Sequence, residues 1–250
     1  MGAILQTISG NTGPYGLMAA LALVLCYVGG IFLCVRLRHD TQGQVIAMLC
    51  AMVFLFLGAK LFGIISYASY FMRDGLVIDW AHVLEKSGIV FYGGLLGYLL
   101  GLRILLPHFL RKSGADLTTG YAIATTLLPF FHGVSRIGCY LGHCCYGVEN
   151  AHFASFWEGR VPVQLFESAF CLLLSGLLLY LLFKRPKLRG WLLPLYLAAY
   201  SVFRFVIEFW RGDAVRGGFW VFSFSQWVSV GIWVALFGWL LWKHLKPMQR

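Results

Sequence analysis

Seven long apolar runs dominate this sequence and leave room for few folds. They lie near residues 14–36, 45–72, 88–110, 119–135, 162–183, 190–210 and 223–243. An α-helix needs about 20 such residues to cross a bilayer. Hydrophobic residues make up 60% of the chain and charged residues 12%, about half the charged share of a soluble domain. The sequence therefore predicts a single all-α, polytopic membrane domain over residues 1–250, with about seven transmembrane helices.

The fourth run is short and continues into a segment rich in glycine and cysteine, HGVSRIGCYLGHCCYG at 132–147. Irregular backbone at membrane depth is tolerated where protein surrounds it. We therefore expect a broken or re-entrant helix at this point.

The basic residues orient the helices. They cluster on alternate connections, near 36–38, 111–112, 184–189 and 243–250. Cytoplasmic connections carry the excess of Lys and Arg, which predicts an outside N-terminus and a cytoplasmic C-terminus. The net charge of +10 is thus typical of contact with anionic headgroups. No basic groove or nucleic-acid motif accompanies it, so we expect no nucleic-acid partner.

Two arginines, Arg136 and Arg204, interrupt apolar runs. A buried guanidinium in a membrane normally faces a polar cavity or an anionic partner, and its planar fork matches phosphate. The charged residues in or beside the apolar runs support the same interpretation. Four of them are cations and two are carboxylates: Lys60, Arg136, Arg204 and Arg211, against Glu167 and Glu208. An anionic lipid would restore the balance, whereas pairing among helices is the structural alternative.

Seven cysteines divide into two groups. Four lie inside apolar runs, where a thiol behaves as a small hydrophobe: Cys26, Cys34, Cys50 and Cys171. Cys139, Cys144 and Cys145 share one turn-rich segment, but their spacing is not the CxxC of zinc sites. Simple packing, a bridge from Cys139 to one of the adjacent pair and a metal site all stay open. We expect no metal and no cofactor to be required.

Six fragments, taken in order, resemble the prolipoprotein diacylglyceryl transferase family. They are PYGLM at 14–18, GAKLF at 58–62, SRIGCYLGHCCYG at 135–147, PVQLFE at 162–167, YSVFRFVIEFWRGD at 200–213 and SFSQWVS at 223–229. Each is weak alone, and the second has Lys60 where the family has arginine. Taken together and in order, they span most of the chain, from residue 14 to residue 229.

The resemblance implies an enzyme that moves the diacylglyceryl group of phosphatidylglycerol onto a lipobox cysteine thiol in the bacterial inner membrane and releases glycerol phosphate. Arg136 and Arg204 are expected to hold the phosphate and stabilise its departure. Glu208 would orient Arg204, and Tyr15 would hydrogen-bond the headgroup. The remaining expected substrate-binding residues are Lys60, Gly93, Gly94, Gly138, Gln164, Glu167, Tyr200, Arg211 and Gln226.

The chain departs from the family pattern where proton transfer is concerned. In the family's His-Gly-Gly motif the histidine is a proposed general base, but the motif reads Tyr92-Gly93-Gly94 here. A tyrosine with a pKa near 10 is a poor base, although it donates hydrogen bonds. Cys139 replaces the signature asparagine, Cys144 an acidic position and Ala122 an aspartate. His132 and His143 are candidates for a relocated base, and the expected catalytic set is Arg136, Arg204, Tyr92 and His132.

These departures leave other functions open. A related transferase could use another thiol, an amine or a hydroxyl as acceptor, and a non-catalytic protein could keep only the anionic-lipid site. Glycines of the third run have a simpler interpretation. Gly97 and Gly101 fit close helix packing, whereas Gly93 and Gly94 would shape the floor of the site beside Tyr92.

Overall fold

The computed structural model describes residues 13–73, 79–150, 152, 159–212, 218–219 and 222–245. Within them the chain is almost entirely helical, which confirms the all-α class. The helices are α1 Gly13–Leu37, α2 Thr41–Arg73, α3 Trp80–Lys86, α4 Phe91–Leu110, α5 Leu117–Leu141, α6 Val163–Lys184, α7 Leu192–Ile207 and α8 Phe224–Leu245. Short 3-10 turns at Pro186–Trp191 and Glu208–Trp210 flank α7, and β1 Gly218–Phe219 pairs antiparallel with β2 Phe222–Ser223.

Six helical segments of the described chain are long and apolar enough to cross a membrane. They are Gly13–Leu37, Thr41–Ser69, Phe91–Leu110, Val163–Lys184, Pro186–Trp210 and Phe224–Leu245. Large apolar side chains such as Phe56, Leu173 and Val234 are exposed on them, as expected of surfaces that face lipid rather than water. The chain is a polytopic membrane protein, while the orientation of its termini stays a prediction.

The fourth apolar run forms one continuous helix, α5, so the expected break is wrong. α5 is 25 residues long and buried along most of its length, and Pro129 lies within it. Its threonines, His132 and Arg136 lower its hydropathy, which is why it is not among the six segments. Because protein rather than lipid surrounds α5, these polar groups find partners without any unwinding of the helix.

The first compact unit comprises 1–49, 104–193 and 210–213, with α5 packed on both α1 and α6. The Ser168 hydroxyl donates to the Gly133 carbonyl at 2.8 Å, and the Ser175 hydroxyl donates to the Thr126 carbonyl at 3.0 Å. On the α1 side, the Cys26 thiol lies 3.6 Å from the Leu127 carbonyl. Small and hydroxyl side chains let these helices approach closely, as in other membrane bundles.

The second compact unit comprises 50–103, 194–209 and 214–250. Here α2 and α4 meet along a stripe of small residues. A Cβ added at Gly97 would collide with the Phe54 carbonyl oxygen, and one at Gly101 would lie 3.1 Å from Ala51 Cβ. The packing role predicted for Gly97 and Gly101 is confirmed. A Cβ at Gly93 would collide with the Gly58 carbonyl oxygen, so Gly93 also belongs to this contact. The single domain expected from composition stays a prediction.

Replacing Gly97 with alanine should destabilise the protein, because its Cβ must push the α2 backbone away at Phe54. Overpacking of this kind costs about 1–3 kcal/mol. Thermal unfolding in detergent checks this, with Gly176→Ala as the matched control: a Cβ at Gly176 in α6 meets nothing within 4 Å. The control should be neutral or up to about 1 kcal/mol more stable through helix propensity. Equal transitions for the two variants would contradict the close contact.

Asp116 caps the N-terminus of α5, and we expect the protein to lose stability in acid as this carboxylate is protonated. Hydrogen bonds from the Thr119 hydroxyl, at 2.6 Å, and from the Thr119 and Thr118 backbone N–H groups lower the pKa of its carboxyl. A lowered folded-state pKa contributes stability that is complete above the ordinary value of about 3.9 and is lost as pH falls through the folded value. Unfolding midpoints measured from neutral pH down to about pH 3 should fall less in Asp116→Asn, which keeps a cap but cannot titrate. Parallel curves for the two proteins would show that the cap carboxylate does not contribute.

Candidate active site

In the first unit, three cationic or titratable side chains surround Glu167. Arg136 Nη2 lies 2.7 Å from Glu167 Oε2, His132 Nε2 lies 3.4 Å from Oε1, and Arg211 Nη1 lies 3.9 Å from Oε2. His132 and Arg136 are four residues apart, so they share one face of α5. Pro162 precedes α6 at Val163, which places Glu167 in the second turn of that helix.

This Glu167 cluster (His132, Arg136, Glu167 and Arg211) is buried. Glu167 is 2% exposed, and the Arg136 and Arg211 side chains are nearly as inaccessible. The two guanidinium groups cannot lose their protons, and buried cations are stable only when they are compensated. Glu167 contacts both of them. The positive charge balance expected from the sequence stays a prediction.

Backbone pairing explains how Arg211 reaches α6. Gly147 forms a β-bridge with Arg211, Val148 N donates to the Trp210 carbonyl at 2.9 Å, and Gly147 N donates to the Val161 carbonyl at 3.1 Å. A Cβ at Gly147 would collide with the Val161 carbonyl oxygen. This glycine is therefore needed for three chain segments to meet beside the cluster.

The three neighbouring cysteines also gather here. The sulfur atoms of Cys139, Cys144 and Cys145 lie within 4.8 Å of one another, and all three residues are free thiols. Arg136 Nη1 lies 3.4 Å from Cys139 Sγ, while Gln164 Nε2 donates to the Cys144 carbonyl at 2.8 Å. Hydrogen bonds from the Cys139 and Cys144 thiols lower the pKa of Cys145. The thiol group is therefore continuous with the Glu167 cluster through Arg136.

The start of α1 packs against the C-terminal end of α5, beside the three thiols. A Cβ added at Gly138 would lie 2.7 Å from Met18 Cβ and 3.0 Å from Tyr15 Cα. Only glycine lets the two helices approach this closely, so Gly138 serves the packing that brings Tyr15 to this end of α5. Gly138 is thus a spacing residue beside the site.

The second unit holds Arg204 in a separate polar group. Arg204 Nη1 forms an ion pair with Glu208 Oε2, four residues along the chain, and Nη2 donates to the Ser225 hydroxyl at 3.3 Å. Arg204 is 4% exposed. The predicted contact between Glu208 and Arg204 is confirmed, and it fixes the guanidinium in one orientation.

Tyr92 is a buried hydrogen-bond donor. Its hydroxyl lies 2.7 Å from Ser229 Oγ, and the Ser229 hydroxyl donates to the Ser225 carbonyl at 3.0 Å. Because Ser229 uses its single proton on that carbonyl, Tyr92 must donate to Ser229. The Tyr92 ring also contacts Tyr200 edge-on, with centroids 5.8 Å apart. Ser225 and Ser229 were not predicted as site residues, although their four-residue spacing in SFSQWVS indicates a shared helical face.

Two predicted substrate-binding residues have local structural partners. Lys60 Nζ donates to the Leu84 and Ser87 carbonyls at 2.9 and 2.7 Å, which satisfies the C-terminus of α3. Gln226 Oε1 accepts from Ser223 N at 2.9 Å, and Gln226 N donates to the Ser223 hydroxyl at 3.3 Å. This is a reciprocal capping box at the start of α8. A Cβ added at Gly94 would make ordinary contact with Ala59 Cβ, at 3.4 Å.

Residues 4–242 match the sequence profile of a family described as prolipoprotein diacylglyceryl transferase. The chain belongs to this family. Three relatives named phosphatidylglycerol–prolipoprotein diacylglyceryl transferase show how far the similarity extends. The one from Chromohalobacter salexigens is 30% identical over 94% of this chain and 89% of its own length. The one from Pasteurella multocida is 28% identical over 88% and 83%. The second transferase of Clostridium perfringens is 32% identical over 70% and 69%.

The match to the prolipoprotein diacylglyceryl transferase family spans every predicted site residue, from Tyr15 to Gln226. The structure brings His132, Arg136, Glu167 and Arg211 together in the first unit. It brings Arg204 and Glu208 together in the second, where Tyr92 contacts Tyr200. Lys60 and Gln226 have the local partners given above.

Proposed function

We propose that this chain moves the diacylglyceryl group of phosphatidylglycerol onto the cysteine thiol of a prolipoprotein and releases glycerol phosphate. Family membership and the names of its relatives support this function. The observation that carries it is the buried Arg136 guanidinium, which lies 2.7 Å from Glu167 in a polar cluster among apolar helices. We place the protein in the bacterial inner membrane, with its N-terminus outside.

The reaction requires fixed cations at the leaving group. The acceptor sulfur attacks a glyceryl carbon, the bond from that carbon to the phosphate oxygen breaks, and the phosphate takes the electron pair. Arg136 is a guanidinium group that we propose to hold this phosphate, and the same role for Arg204 stays a prediction from the sequence. Glu167 and Glu208 already hold the two arginines in place, so little reorganisation is needed as charge develops.

The proton-handling residues are assigned by their contacts. Tyr92 donates its proton to Ser229, so we propose that it shapes the polar group around Arg204 rather than acting as a base. His132 lies between Glu167 and Cys171, whose Sγ is 3.6 Å from His132 Nδ1. The base role predicted for His132 stays a prediction, which His132→Gln tests.

A turnover assay in nanodiscs tests the function. Purified protein receives phosphatidylglycerol and a lipobox peptide, and both glycerol phosphate release and the peptide mass are followed. We expect a diacylglyceryl mass increase on the cysteine peptide and none on its serine counterpart. Tyr92→Phe should retain transfer. A folded protein that binds phosphatidylglycerol but alkylates no peptide would instead be a non-catalytic lipid-binding protein.

A further inference from the structure

The three-thiol group at the end of α5 is not needed for phosphate binding. Its sulfur atoms, those of Cys139, Cys144 and Cys145, converge within 4.8 Å. Sulfurs bound to one tetrahedral zinc ion at ~2.3 Å are roughly 3.8 Å apart. Small side-chain rotations would therefore bring the three sulfurs to one metal ion. Among the described residues, no fourth histidine, cysteine or carboxylate joins them in this group.

The backbone of the turn after α5 is built around these thiols. His143 and Cys145 have φ of 51° and 59°, left-handed values that residues other than glycine seldom adopt. Cys144 N donates to the Cys139 carbonyl at 3.1 Å, and Gln164 of α6 holds the Cys144 carbonyl. The surrounding structure thus maintains an unfavourable backbone that presents two adjacent thiols to the third, as functional sites often do.

A guanidinium group lies directly against the thiol group. Arg136 Nη1 lies 3.4 Å from Cys139 Sγ, and the same side chain contacts Glu167 through Nη2. Nearby guanidinium groups stabilise the thiolate form, which is the form that binds metal. The thiol group and the proposed phosphate-binding arginine are therefore adjacent.

We propose that Cys139, Cys144 and Cys145 bind one thiophilic divalent cation, zinc, and leave its fourth position for the acceptor's cysteine. Structural zinc sites use four protein ligands, whereas sites that perform chemistry keep one position open. Soft sulfur ligands select zinc over the hard cations magnesium and calcium. The inference rests on the proposed function, since the fourth ligand is the thiol to be alkylated.

Transfer of the diacylglyceryl group to a metal-bound thiolate needs no oxidant. The acceptor thiol coordinates the metal and releases its proton to water, because a coordinating thiol is deprotonated outright. The bound thiolate attacks the glyceryl carbon, the bond to the phosphate oxygen breaks, and the phosphate leaves with the electron pair. The product thioether is a weaker ligand than a thiolate and dissociates. This activation supplies what the buried donor Tyr92 does not.

Metal binding is tested first, without reference to activity. We expect purified full-length protein to bind one zinc ion, measured by elemental analysis, and one cobalt ion, seen as a sulfur-to-cobalt absorption band. Cys139→Ser, Cys144→Ser and Cys145→Ser should each weaken binding at least 10-fold. Cys50→Ser, which alters a surface thiol of α2, is the matched control and should bind normally.

Acceptor coordination is tested next. Adding a lipobox peptide to the cobalt-loaded protein should shift the visible bands as a fourth sulfur binds, whereas the serine peptide should leave them unchanged. Removing the metal should lower kcat for transfer about 100-fold, the usual contribution of acid–base assistance, and zinc should restore it. Metal binding and a band shift without any transfer would contradict the proposed function but leave the site standing.

Three outcomes would overturn the inference. One is a native protein in which two of these cysteines form a disulfide and no metal binds. Another is metal binding that survives all three serine variants. The last is active transfer that is unaffected by metal removal or by serine at these positions, which would retain the proposed function and dismiss the metal.

Discussion

Arg136→Ala is expected to lower kcat for diacylglyceryl transfer about 100- to 1,000-fold, the loss seen when one fixed donor to a developing charge is removed. Arg136 is buried, contacts Glu167 at 2.7 Å and shares this carboxylate with Arg211. Glycerol phosphate release from phosphatidylglycerol in nanodiscs measures the effect. The variant's thermal unfolding must be recorded beside it, so that lost activity is separated from lost folding.

Two further variants test whether the charge of Arg136 suffices and whether the loss is specific to this site. Arg136→Lys keeps the charge but loses the planar fork that binds phosphate in a bidentate manner, so we expect it to restore only part of the rate. Arg103→Ala removes an exposed helical arginine and should be as active as the parent. Full activity in a folded Arg136→Ala protein would remove Arg136 from the mechanism and leave Glu167 with a structural partner only.

Glu167→Gln is expected to lower the free energy of unfolding by about 3–5 kcal/mol, the usual effect of breaking a buried ion pair from one side. Glu167 is 2% exposed and lies 2.7 Å from Arg136 and 3.9 Å from Arg211. Without its charge, both guanidinium groups remain buried and lose the carboxylate that they share. Denaturation in detergent, followed by circular dichroism, measures the change.

The control is a carboxylate that pairs at the surface. Glu149 lies 3.5 Å from Arg160 with 80% of its side chain exposed, and such pairs contribute about 1 kcal/mol or less. Glu149→Gln should therefore unfold almost as the parent does. Phosphatidylglycerol should raise the midpoint of both proteins, because a bound anion stabilises the form that binds it. The increase should be larger in Glu167→Gln, where one fewer carboxylate repels the phosphate. Equal stability of the two variants would contradict the central role of Glu167.

Part of the site could be predicted from the sequence, because these residues are recognisable without knowing which residues they contact. An arginine in an apolar helix is costly wherever it points, so Arg136 and Arg204 were evident as functional candidates. The relation of Glu208 to Arg204 follows from their four-residue spacing. Lys60 and Gln226 were harder to interpret, because the carbonyls and N–H groups that they satisfy are set by helix ends. Charge counting cannot distinguish a helix cap from a ligand contact.

The class of the protein and the approximate positions of its long helices can be predicted from the residues alone, because apolar length is a local property and the bilayer core is about 30 Å thick. The continuity of α5 depends on tertiary contacts, since its backbone carbonyls accept hydrogen bonds from Cys26 of α1 and from Ser168 and Ser175 of α6. Only the tertiary structure brought Arg211 to Glu167 and gathered the three thiols. These contacts depend on chain segments far apart in sequence and on a left-handed turn, neither of which leaves a periodic signal in the residues.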